Sequence, residues 1–492
     1  MALIDVANLS FCYDKSYDNI FENVSFQLDT DWKLGFIGRN GRGKTTFLHL
    51  LLGKWEYQGK ISAPTLFDYF PYPVPDVSLP VIEILEEIAD FQLWELIREL
   101  NLLNVDEEVL YRPYFTLSQG EQTKVLLAAL FLNPGHFLLI DEPTNHLDMQ
   151  AREVVANYLK GKKGFILVSH DRWFLDQCID HVLSINKTNI EVQKGNFSTW
   201  EQNKAFQDHF ELAENQRLKK DIRRLEESAK RTSRWSDQVE KTKIGSRNSG
   251  LRPDRGFIGH KAAKMMKRSK AAQLRKEKAA EEKQQLLHNI DSADSLAINP
   301  LIHHAKRLVD ISDLAVTYGE YPVCQGVSFC INPGDRIALC GKNGSGKSSI
   351  LKLLCKDNIS YTGVVTLASG LVVSTVSQDT SFLSGDLSAF AKENRLDESL
   401  FKAILRKLDF PRIQFEKKME DFSGGQKKKV LIAKSLCQQA HLYLWDEPLN
   451  FIDVLSRIQI EDLILRHRPT MLFVEHDRTF VDKVATKKIQ LE

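Results

Sequence analysis

The sequence predicts an α/β protein in which two copies of one phosphate-binding domain are joined by a long α-helical hairpin. Two glycine-rich loops, Gly38 to Thr45 and Gly341 to Ser348, fit the pattern G-x-x-x-x-G-K-[ST] about 300 residues apart. The motifs that surround the first loop recur in the same order around the second. The stretch between the copies, from about Ser198 to Asn289, is rich in Lys, Glu, Gln, Ala and Arg and has few helix breakers.

Both glycine-rich loops lie between an apolar, strand-like run and a helical pattern, which is the context that a phosphate-binding loop requires. Their glycines let backbone N–H groups surround nucleotide phosphates, while the lysine and the hydroxyl after it contact the outer phosphates and Mg²⁺. The sequence therefore predicts two bound ATP molecules with Mg²⁺, rather than two turns without a ligand. The loop residues expected to bind ATP are Gly38, Asn40, Gly41, Gly43, Lys44, Thr45 and Thr46, and Gly341, Asn343, Gly344, Gly346, Lys347, Ser348 and Ser349.

The internal repeat extends far beyond the loops. The opening pattern Asp5 to Tyr13 recurs as Asp310 to Tyr318. Several motifs in one order, found twice, indicate a tandem duplication, and we place the domains at 1–197 and 300–492 with the hairpin at 198–299. The later repeated motifs are Leu117 to Gln122 with Phe422 to Gln426, Phe137 to Pro143 with Leu442 to Pro448, and Ile166 to Arg172 with Leu472 to Arg478.

The composition is that of a globular protein, with 492 residues, 43% apolar and 27% charged. No run of 18 or more apolar residues occurs, and the amino terminus lacks the basic and apolar regions of a secretory signal. We therefore expect a cytoplasmic protein without a membrane domain. The seven cysteines are scattered without C-x-x-C spacing, which predicts buried free thiols rather than disulfides or a metal site.

The predicted hairpin is strongly basic. From Arg217 to Lys278 there are 21 Lys and Arg against 7 Asp and Glu, although the whole chain has a net charge of only +1. Such a segment suits a polyanionic partner, while a solvated helix face is the plainer explanation. Each helix of about 45 residues would reach roughly 65 Å. The apolar residues whose spacing suits an antiparallel coiled-coil seam are Phe206, Phe210, Leu218, Ile222 and Leu225.

Helix breakers cluster at about 244–258, which predicts the connecting loop of the hairpin. Basic and apolar side chains alternate there with no evident core to bury the apolar ones. That mixture suits structured RNA, because arginines contact phosphates and base planes while apolar tips enter crevices. Solubilising charge remains the alternative. The candidate RNA-binding residues are Arg247, Leu251, Arg252, Arg255, Phe257 and Ile258.

The repeated motifs resemble those of the ATP-binding cassette family, over about 390 residues in both copies but not in the stretch between them. The resemblance implies a monomer whose two cassettes face each other head to tail. Each ATP would then be closed between the phosphate loop of one copy and the signature motif of the other. Site A would combine Lys44 and Thr45 with Ser423, Gly424 and Gly425, and site B would combine Lys347 and Ser348 with Ser118, Gln119 and Gly120.

The same resemblance implies roles for the polar residues that follow apolar strands. Glu142 and Glu447 are placed to polarise the attacking water, so loss of either should trap ATP rather than prevent its binding. His170 and His476 resemble switch histidines that sense the γ-phosphate, although a lone histidine after a strand is more often structural. The expected Mg²⁺ ligands are Thr45, Asp141, Ser348, Gln378 and Asp446.

Four positions are less regular. Tyr13 and Tyr318 lie where the family stacks an aromatic ring on adenine, with Tyr17 as the alternative to Tyr13 because the spacing differs by two residues. The glutamine that the family places after the strand following the phosphate loop is kept as Gln378 but replaced by Tyr72. Gln119 stands where the signature usually has glycine. We expect both sites to bind ATP, at least one to hydrolyse it, and the two to be unequal.

Fused cassettes, a basic hairpin between them and the run Pro143 to Asp148 resemble the F subfamily of ATP-binding cassette proteins (ABC-F), which act on ribosomes. Four features resemble its Lsa/Vga antibiotic-resistance group: the long loop, the Leu-Ser-Gln-Gly-Glu signature, no inserted arm in the first cassette, and an end soon after the second. That group protects ribosomes from lincosamides, pleuromutilins and streptogramin A compounds. The implied partners are the bacterial 70S ribosome, large-subunit rRNA and P-site tRNA.

The function that we predict is therefore an ATPase that enters the tRNA exit side of the ribosome and releases drug from the peptidyl-transferase centre. The sequence leaves open whether the 244–258 loop touches the drug or acts through rRNA and tRNA. Three alternatives remain: a housekeeping ABC-F translation factor, the ATPase subunit of an exporter, and a DNA-associated cassette ATPase. The fused cassettes and the basic hairpin argue against the exporter, and arms of this length are short for a DNA-associated protein.

Overall fold

The structure is a computed structural model that describes residues 2–13, 19–145, 147–186, 189–241, 296–318 and 321–491, with isolated helical positions between 264 and 278. It divides into two compact units, Met1–Trp200 with Ala293–Glu492, and Glu201–Ser292. The first unit contains both predicted domains, hereafter the first and the second repeat. The candidate RNA-binding residues at 247–258, and the alternative adenine contact Tyr17, lie outside the described residues.

The first repeat contains two sheets. An antiparallel sheet has the order β2-β1-β4 and is followed by a six-stranded sheet of order β5-β6-β7-β3-β8-β9, parallel except for β9. Strands β3 and β7 are buried along their length, as central parallel strands are. The strands are β1 (Leu3–Phe11), β2 (Phe21–Asp29), β3 (Lys33–Ile37), β4 (Gln58–Ser62), β5 (Leu66–Phe70), β6 (His136–Asp141), β7 (Phe165–Val168), β8 (His181–Asn186) and β9 (Asn189–Lys194).

Three helices of the first repeat, α4, α5 and α6, start at residues whose side chains cap them. Ser118 begins α4 through a capping box, since its hydroxyl accepts from the N–H of Glu121 while the Glu121 carboxylate accepts from the Ser118 N–H. Asp148 and Asp171 cap α5 and α6 in the same way, with one side-chain bond each. The helices are α1 (Lys44–Leu51), α2 (Val81–Ile88), α3 (Leu93–Leu102), α4 (Gln119–Leu130), α5 (Met149–Lys160) and α6 (Arg172–Cys178).

A single helix, α7 (Phe197–Lys241), leads out of the first repeat and is 45 residues long. Its first turn belongs to the first repeat, because Phe197 and Trp200 are buried in that core. The seam assignment is wrong for Phe206 and Phe210, which are 79% and 62% exposed. Their helical spacing is real, but both side chains are largely exposed to solvent. The described positions of the second predicted helix are also helical: Lys264, Lys267, Lys270, Ala271, Leu274, Arg275 and Lys278.

Within the described residues, the second repeat has the same architecture as the first except that it has no counterpart of β9. Its sheets have the orders β11-β10-β13 and β14-β15-β16-β12-β17, and the second sheet is wholly parallel. Its strands are β10 (Val309–Tyr318), β11 (Tyr321–Ile331), β12 (Arg336–Cys340), β13 (Tyr361–Leu367), β14 (Val373–Val376), β15 (Leu442–Asp446), β16 (Met471–Val474) and β17 (Lys487–Gln490). Its helices are α8 (Lys347–Leu354), α9 (Leu387–Glu393), α10 (Glu398–Lys407), α11 (Gly424–Cys437), α12 (Val454–His467) and α13 (Arg478–Val484).

The boundaries of the repeats differ slightly from the expected ones. Leu296 and Ile298, which we placed in the hairpin, are buried in the core of the second repeat, in the same apolar cluster as Val376 and Phe401. Burial in this core shields their apolar side chains from water, whereas an extended linker would leave those side chains exposed. The second repeat therefore begins before residue 300.

The shared sheet order brings the polar motifs to one edge of each sheet. In the first repeat β3 ends at the phosphate loop, β6 ends at Asp141, and β7 is followed by His170. In parallel sheets the carboxyl ends of the strands lie together, and ligands bind at that edge. The backbone alone therefore brings the candidate site residues of each repeat to the same edge of its sheet.

Two expectations about the rest of the chain have outcomes here. Among the helices that the structure describes, none is long and apolar enough to cross a membrane. The seven cysteines are free thiols, but the prediction that they are buried holds only for Cys178 and Cys324, since Cys12 and Cys355 are exposed and the other three are half-buried.

Candidate functional site

Each phosphate loop ends in a glycine with left-handed backbone. Gly43 has φ of 95° and Gly346 has φ of 85°, and each directly precedes its helix, α1 or α8. A Cβ on Gly43 would lie 2.4 Å from Cγ2 of Ile20, so glycine is required there for space as well as for conformation. Neither helix has a side-chain cap. Their first-turn N–H groups are therefore directed at the position where a phosphate binds.

The loop lysines are buried and held by their own loops. Lys44 Nζ donates to the carbonyls of Gly38 at 2.7 Å and Arg39 at 3.3 Å. Lys347 Nζ donates to Gly341 at 2.8 Å and to Lys342 at 2.6 Å. Burial lowers the pKa of both lysines. The acceptors of these buried ammonium groups are neutral carbonyls, and a bound phosphate would supply a negatively charged partner.

The oxygen groups at the strand ends fit a magnesium ion. Thr45 Oγ1 donates to Asp141 Oδ2 at 2.8 Å, and Ser348 shares a hydrogen bond with Asp446. The other oxygen of Asp446, Oδ1, is buried and has no partner among the described residues. Hydroxyl, carboxylate and amide oxygens are the ligands of a hard cation. The donor set thus fits Mg²⁺ in both repeats.

A tyrosine that the sequence did not single out contacts the first of these carboxylates. The phenol of Tyr69, on β5, donates to Asp141 Oδ2 at 3.1 Å. Burial, followed by the charge of Asp141, raises the pKa of Tyr69, so the phenol stays protonated and donates. The Y-x-P spacing before Tyr72 is the one sequence signal that could have indicated it.

The two glutamates predicted to activate water each face the histidine of their own repeat. Glu142 Oε1 lies 3.2 Å from His170 Nε2, and Glu447 Oε1 lies 3.4 Å from His476 Nε2. Both glutamates have left-handed backbone, with φ of 51° and 45°. Such a conformation costs of order 1 to 3 kcal/mol for a residue other than glycine, and it is retained mainly where function requires it. The strain recurs at the same position in both repeats, which agrees with the predicted role of these pairs without testing it.

The electrostatics of the two pairs differ. Burial raises the pKa of Glu142 to about 8, and the charge of Asp141 adds to the effect. Burial also acts on Glu447, but a hydrogen bond and charge from His476, with Lys428, hold its pKa below the ordinary value. Burial, followed by the charge of Lys44, lowers the pKa of His170. Without nucleotide, the carboxyl group in the first repeat therefore tends to be neutral and the one in the second tends to be charged.

Two cavities lie between the repeats, and each combines the phosphate loop of one with the signature of the other. The cavity of site A has a volume of about 440 Å³. Its walls are Tyr13, Ile20, Asn40, Gly41, Gly43, Lys44, Thr45, Thr46, Asp141, Glu142, Val168, His170, Ser423, Gly424, Gly425 and Phe451. This is the head-to-tail pairing that the motifs imply. Gly38 lies behind the wall, where its carbonyl accepts from Lys44.

The cavity of site B is larger, about 710 Å³. Its predicted wall residues are Ser118, Gln119, Gly120, Asn343, Gly344, Gly346, Lys347, Ser348, Ser349, Gln378, Glu447 and His476. Gly341 and Asp446 lie behind the wall as partners of Lys347 and Ser348. The cavity difference agrees with the expectation that the two sites are unequal, but it does not test their rates.

The two departures from the family pattern have clear structural outcomes. Gln378 Nε2 donates to Glu447 Oε2 at 3.0 Å, so the kept glutamine reaches the carboxylate that is predicted to activate water in site B. Tyr72 instead packs against the apolar core of the first repeat and contributes nothing to the wall of site A. Gln119 lies on the wall of site B with its side chain exposed.

The two candidate adenine contacts are anchored alike. Tyr13 Oη lies 2.7 Å from Thr46 Oγ1, and Tyr318 Oη lies 3.2 Å from Ser349 Oγ. The ring of Tyr13 also meets Trp55 edge to face at 5.7 Å. Tyr13 lines its cavity, whereas Tyr318 does not. The adenine role stays a prediction for both.

The sequence missed the segment that follows each reacting glutamate. Asn145, Leu147 and Asp148 line site B, while Phe451 lines both cavities. Asn40 Nδ2, from the first phosphate loop, donates to the carbonyl of Phe451 at 2.7 Å. The residue types do not predict these contacts, because the contacts depend on how the two repeats face each other. The other missed wall residues are Glu121, Lys124, Ala151, Arg152, Val323 and Asn450.

Fold and site together define a pair of P-loop nucleoside triphosphatase (NTPase) domains that enclose two nucleotide sites between them. The family model described as ABC transporter matches residues 21–145 and 324–450, just over half of the chain. The chain therefore belongs to the ABC transporter family and carries two tandem cassettes, so the predicted fold class is confirmed. ABC ATPase domains in general bind ATP with Mg²⁺, and this protein is an ATPase.

Several curated proteins are similar to this chain over nearly all of its length and most of their own. The ribosome protection protein VmlR of Bacillus subtilis (strain 168) is 26% identical over 99% of this chain and 86% of its own. The energy-dependent translational throttle protein EttA of Haemophilus influenzae is 24% identical over 95% of this chain and 88% of its own. Among solved structures, an RNase-L Inhibitor covers 98% of this chain and 87% of its own with a TM-score of 0.63 and 18% identity. That last likeness concerns the fold alone.

Proposed function

We propose that this chain is a cytoplasmic, monomeric ribosomal protection protein of the ABC-F subfamily, similar to the Lsa/Vga group. It would bind the tRNA exit side of the bacterial 70S ribosome and displace lincosamide, pleuromutilin and streptogramin A antibiotics. The observation that carries the proposal is the pair of complete composite ATP sites on a chain similar to VmlR over 99% of its length. The strongly basic segment from Arg217 to Lys278 supports a nucleic-acid partner.

ATP binding supplies the closing force in this proposal. Lys44 and the N-terminus of α1 would hold the phosphates on one side of site A, and the Ser423 region of the other cassette would complete it. A γ-phosphate bridging the two sides favours the closed form, since it contacts both. Site B closes by the same principle with the partners exchanged.

Hydrolysis would reopen the cassettes. In each site the glutamate accepts a proton from the attacking water, and the histidine 3.2 or 3.4 Å away orients that carboxylate. Mg²⁺, held by Thr45 with Asp141 or by Ser348 with Asp446, would neutralise charge on the phosphates. Loss of the γ-phosphate removes the bridge between the cassettes, and the protein leaves the ribosome.

The 244–258 loop is proposed as the effector that reaches toward the peptidyl-transferase centre. Its support is compositional: Arg247, Arg252 and Arg255 stand among Leu251, Phe257 and Ile258. It would act on large-subunit rRNA and P-site tRNA, and drug release would follow from shifted rRNA. No DNA partner is expected.

A housekeeping role in translation is the second candidate. It is favoured by the similarity to EttA, whose name describes an energy-dependent translational throttle. Such a factor would use the same ATP sites and the same ribosome contacts without conferring resistance. Growth in the presence of drugs separates the two functions.

The test is growth inhibition of a sensitive Gram-positive host by lincomycin, tiamulin and virginiamycin M, with erythromycin as the control drug. We expect the intact chain to confer resistance to the first three, and the Glu142→Gln/Glu447→Gln form to lose it. A chain shortened at 247–255 should lose protection but keep its ATPase rate. Sensitivity of the intact strain, with the double variant toxic, would reject protection in favour of the housekeeping role.

A further inference from the structure

Four buried charges lie where the two cassettes meet, and one of them, Arg152, also lines the cavity of site B. Arg152 and Arg457 occupy the same position in α5 and α12, and Asp171 and Asp477 each follow a switch histidine. Their exposed fractions are only 7%, 7%, 2% and 1%. Burial raises the pKa of Asp171, Arg152 opposes that shift and Asp477 adds to it, so charges from both cassettes act on one carboxyl group. Buried charges of this kind are costly unless each has a partner.

Arg152 contacts both ATP sites through one guanidinium group. Its Nε donates to the carbonyl of Leu147, a wall residue of site B, at 3.0 Å. Its Nη1 donates at 2.8 Å to Asp171 Oδ2, directly after His170 of site A. The same Nη1 donates at 3.1 Å to the carbonyl of His476, the histidine of site B in the other cassette.

Arg457 provides a natural comparison because its hydrogen bonds stay within the second cassette, although its charge also acts on Glu142 and His170 of the first. Its Nε donates to the carbonyl of Ile452 at 2.9 Å, and its Nη1 donates to Asp477 Oδ2 at 3.1 Å. These bonds match those of Arg152 to Leu147 and Asp171. Within the described residues, Arg457 has no hydrogen bond to His170 that would correspond to the bond from Arg152 to His476. The link between the switch histidines is therefore one-sided.

We propose that Arg152 is a positioning residue that couples site A to site B. His170 faces the reacting carboxylate of site A, and its backbone continues into Asp171, which binds the guanidinium. A guanidinium is planar and its donors form a rigid fork, so a shift of Asp171 is passed to the other acceptors. One of those is the backbone of His476, whose ring orients Glu447. Occupation of site A thereby sets the alignment of the reacting pair in site B.

The coupling is measured by comparing turnover at site B with site A filled or empty. In a Glu142→Gln protein only site B hydrolyses ATP, and adding Lys44→Ala empties site A. We expect the kcat of site B to change about tenfold between these two proteins, the size expected for a charged hydrogen bond. The KM for ATP at site B should change much less, since Arg152 acts on alignment.

Arg152→Lys is the diagnostic substitution. Lysine keeps a positive charge opposite Asp171 but has no fork that reaches three acceptors. We expect the change in kcat to shrink to less than about twofold in this protein, and to remain about tenfold in the matched Arg457→Lys protein. An unaltered ratio with Arg152→Lys, an equal loss with Arg457→Lys, or no coupling in the parent would each refute the proposal.

A second variant guards against a failure to fold. Arg152→Met combined with Asp171→Asn removes both charges together, so that no single charge is left buried. Thermal unfolding identifies which variant remains folded, and the same kcat ratio is then measured on that variant. A folded double variant that keeps the tenfold ratio contradicts the role of Arg152 as clearly as the lysine variant would.

Discussion

Gly425, at the start of α11, has a backbone neighbour that leaves no room for a side chain. A Cβ there would lie 2.4 Å from the carbonyl oxygen of Phe451 and 3.3 Å from Asn40 Nδ2. The same carbonyl accepts the 2.7 Å hydrogen bond from Asn40 that joins the two cassettes at site A. Gly425→Ala must therefore displace backbone and weaken that bond. By contrast, a Cβ on Gly120 would meet only Leu147 Cδ2, at an ordinary 3.5 Å.

The expected loss at site A is substantial. Overpacking costs about 1 to 3 kcal/mol and a lost hydrogen bond about 0.5 to 1.5 kcal/mol, so the two together reduce closure of site A by at least roughly tenfold. The assay is kcat/KM for ATP in a Glu447→Gln protein, where only site A hydrolyses. Gly120→Ala in a Glu142→Gln protein is the matched control for site B, with a loss below about threefold. Equal losses at the two sites would show that the Phe451 contact does not determine closure.

Two further predictions concern pH and stability. With Glu447→Gln, kcat/KM for ATP at site A, which reports the free enzyme, should rise with pH through about 8, because the raised pKa of Glu142 keeps it protonated below that value and only the carboxylate accepts a proton. With Glu142→Gln, site B should show no such rise, since the pKa of Glu447 lies below its ordinary value; ATPase rates over this range measure both. Glu461→Gln removes the carboxylate that the buried guanidinium of Arg172 faces, and should lower the free energy of unfolding in urea by about 3 to 5 kcal/mol. The control, Arg478→Gln on the surface, should change it by less than about 0.5 kcal/mol.

The tandem fold was predictable because each motif is tied to a local element. A strand must precede a phosphate loop and a helix must follow it, and the structure has β3 with α1 and β12 with α8 at those places. The Asp-Glu pairs lie at the ends of β6 and β15 for the same reason. The roles assigned to the individual site residues stay predictions, although the structure gathers them in two cavities.

What the sequence could not supply are contacts that depend on how the cassettes face each other. The bond from Arg152 to His476 joins residues 324 positions apart. Phe451 serves both cavities because of its place in the interface rather than its residue type. Phe206 and Phe210 show a prediction that fails for a related reason. Helical spacing identifies an apolar stripe, but it does not tell whether that stripe is buried, and both side chains are exposed.

The central claim is that two ATP molecules close this chain into a ribosome-binding form that hydrolysis releases. It is tested most directly by co-sedimentation of purified bacterial 70S ribosomes with the Glu142→Gln/Glu447→Gln protein. We predict that this protein pellets with ribosomes in ATP and Mg²⁺, stays in the supernatant in ADP, and loses binding when Lys44→Ala and Lys347→Ala are added. A double variant that remains free of ribosomes in ATP would contradict the account.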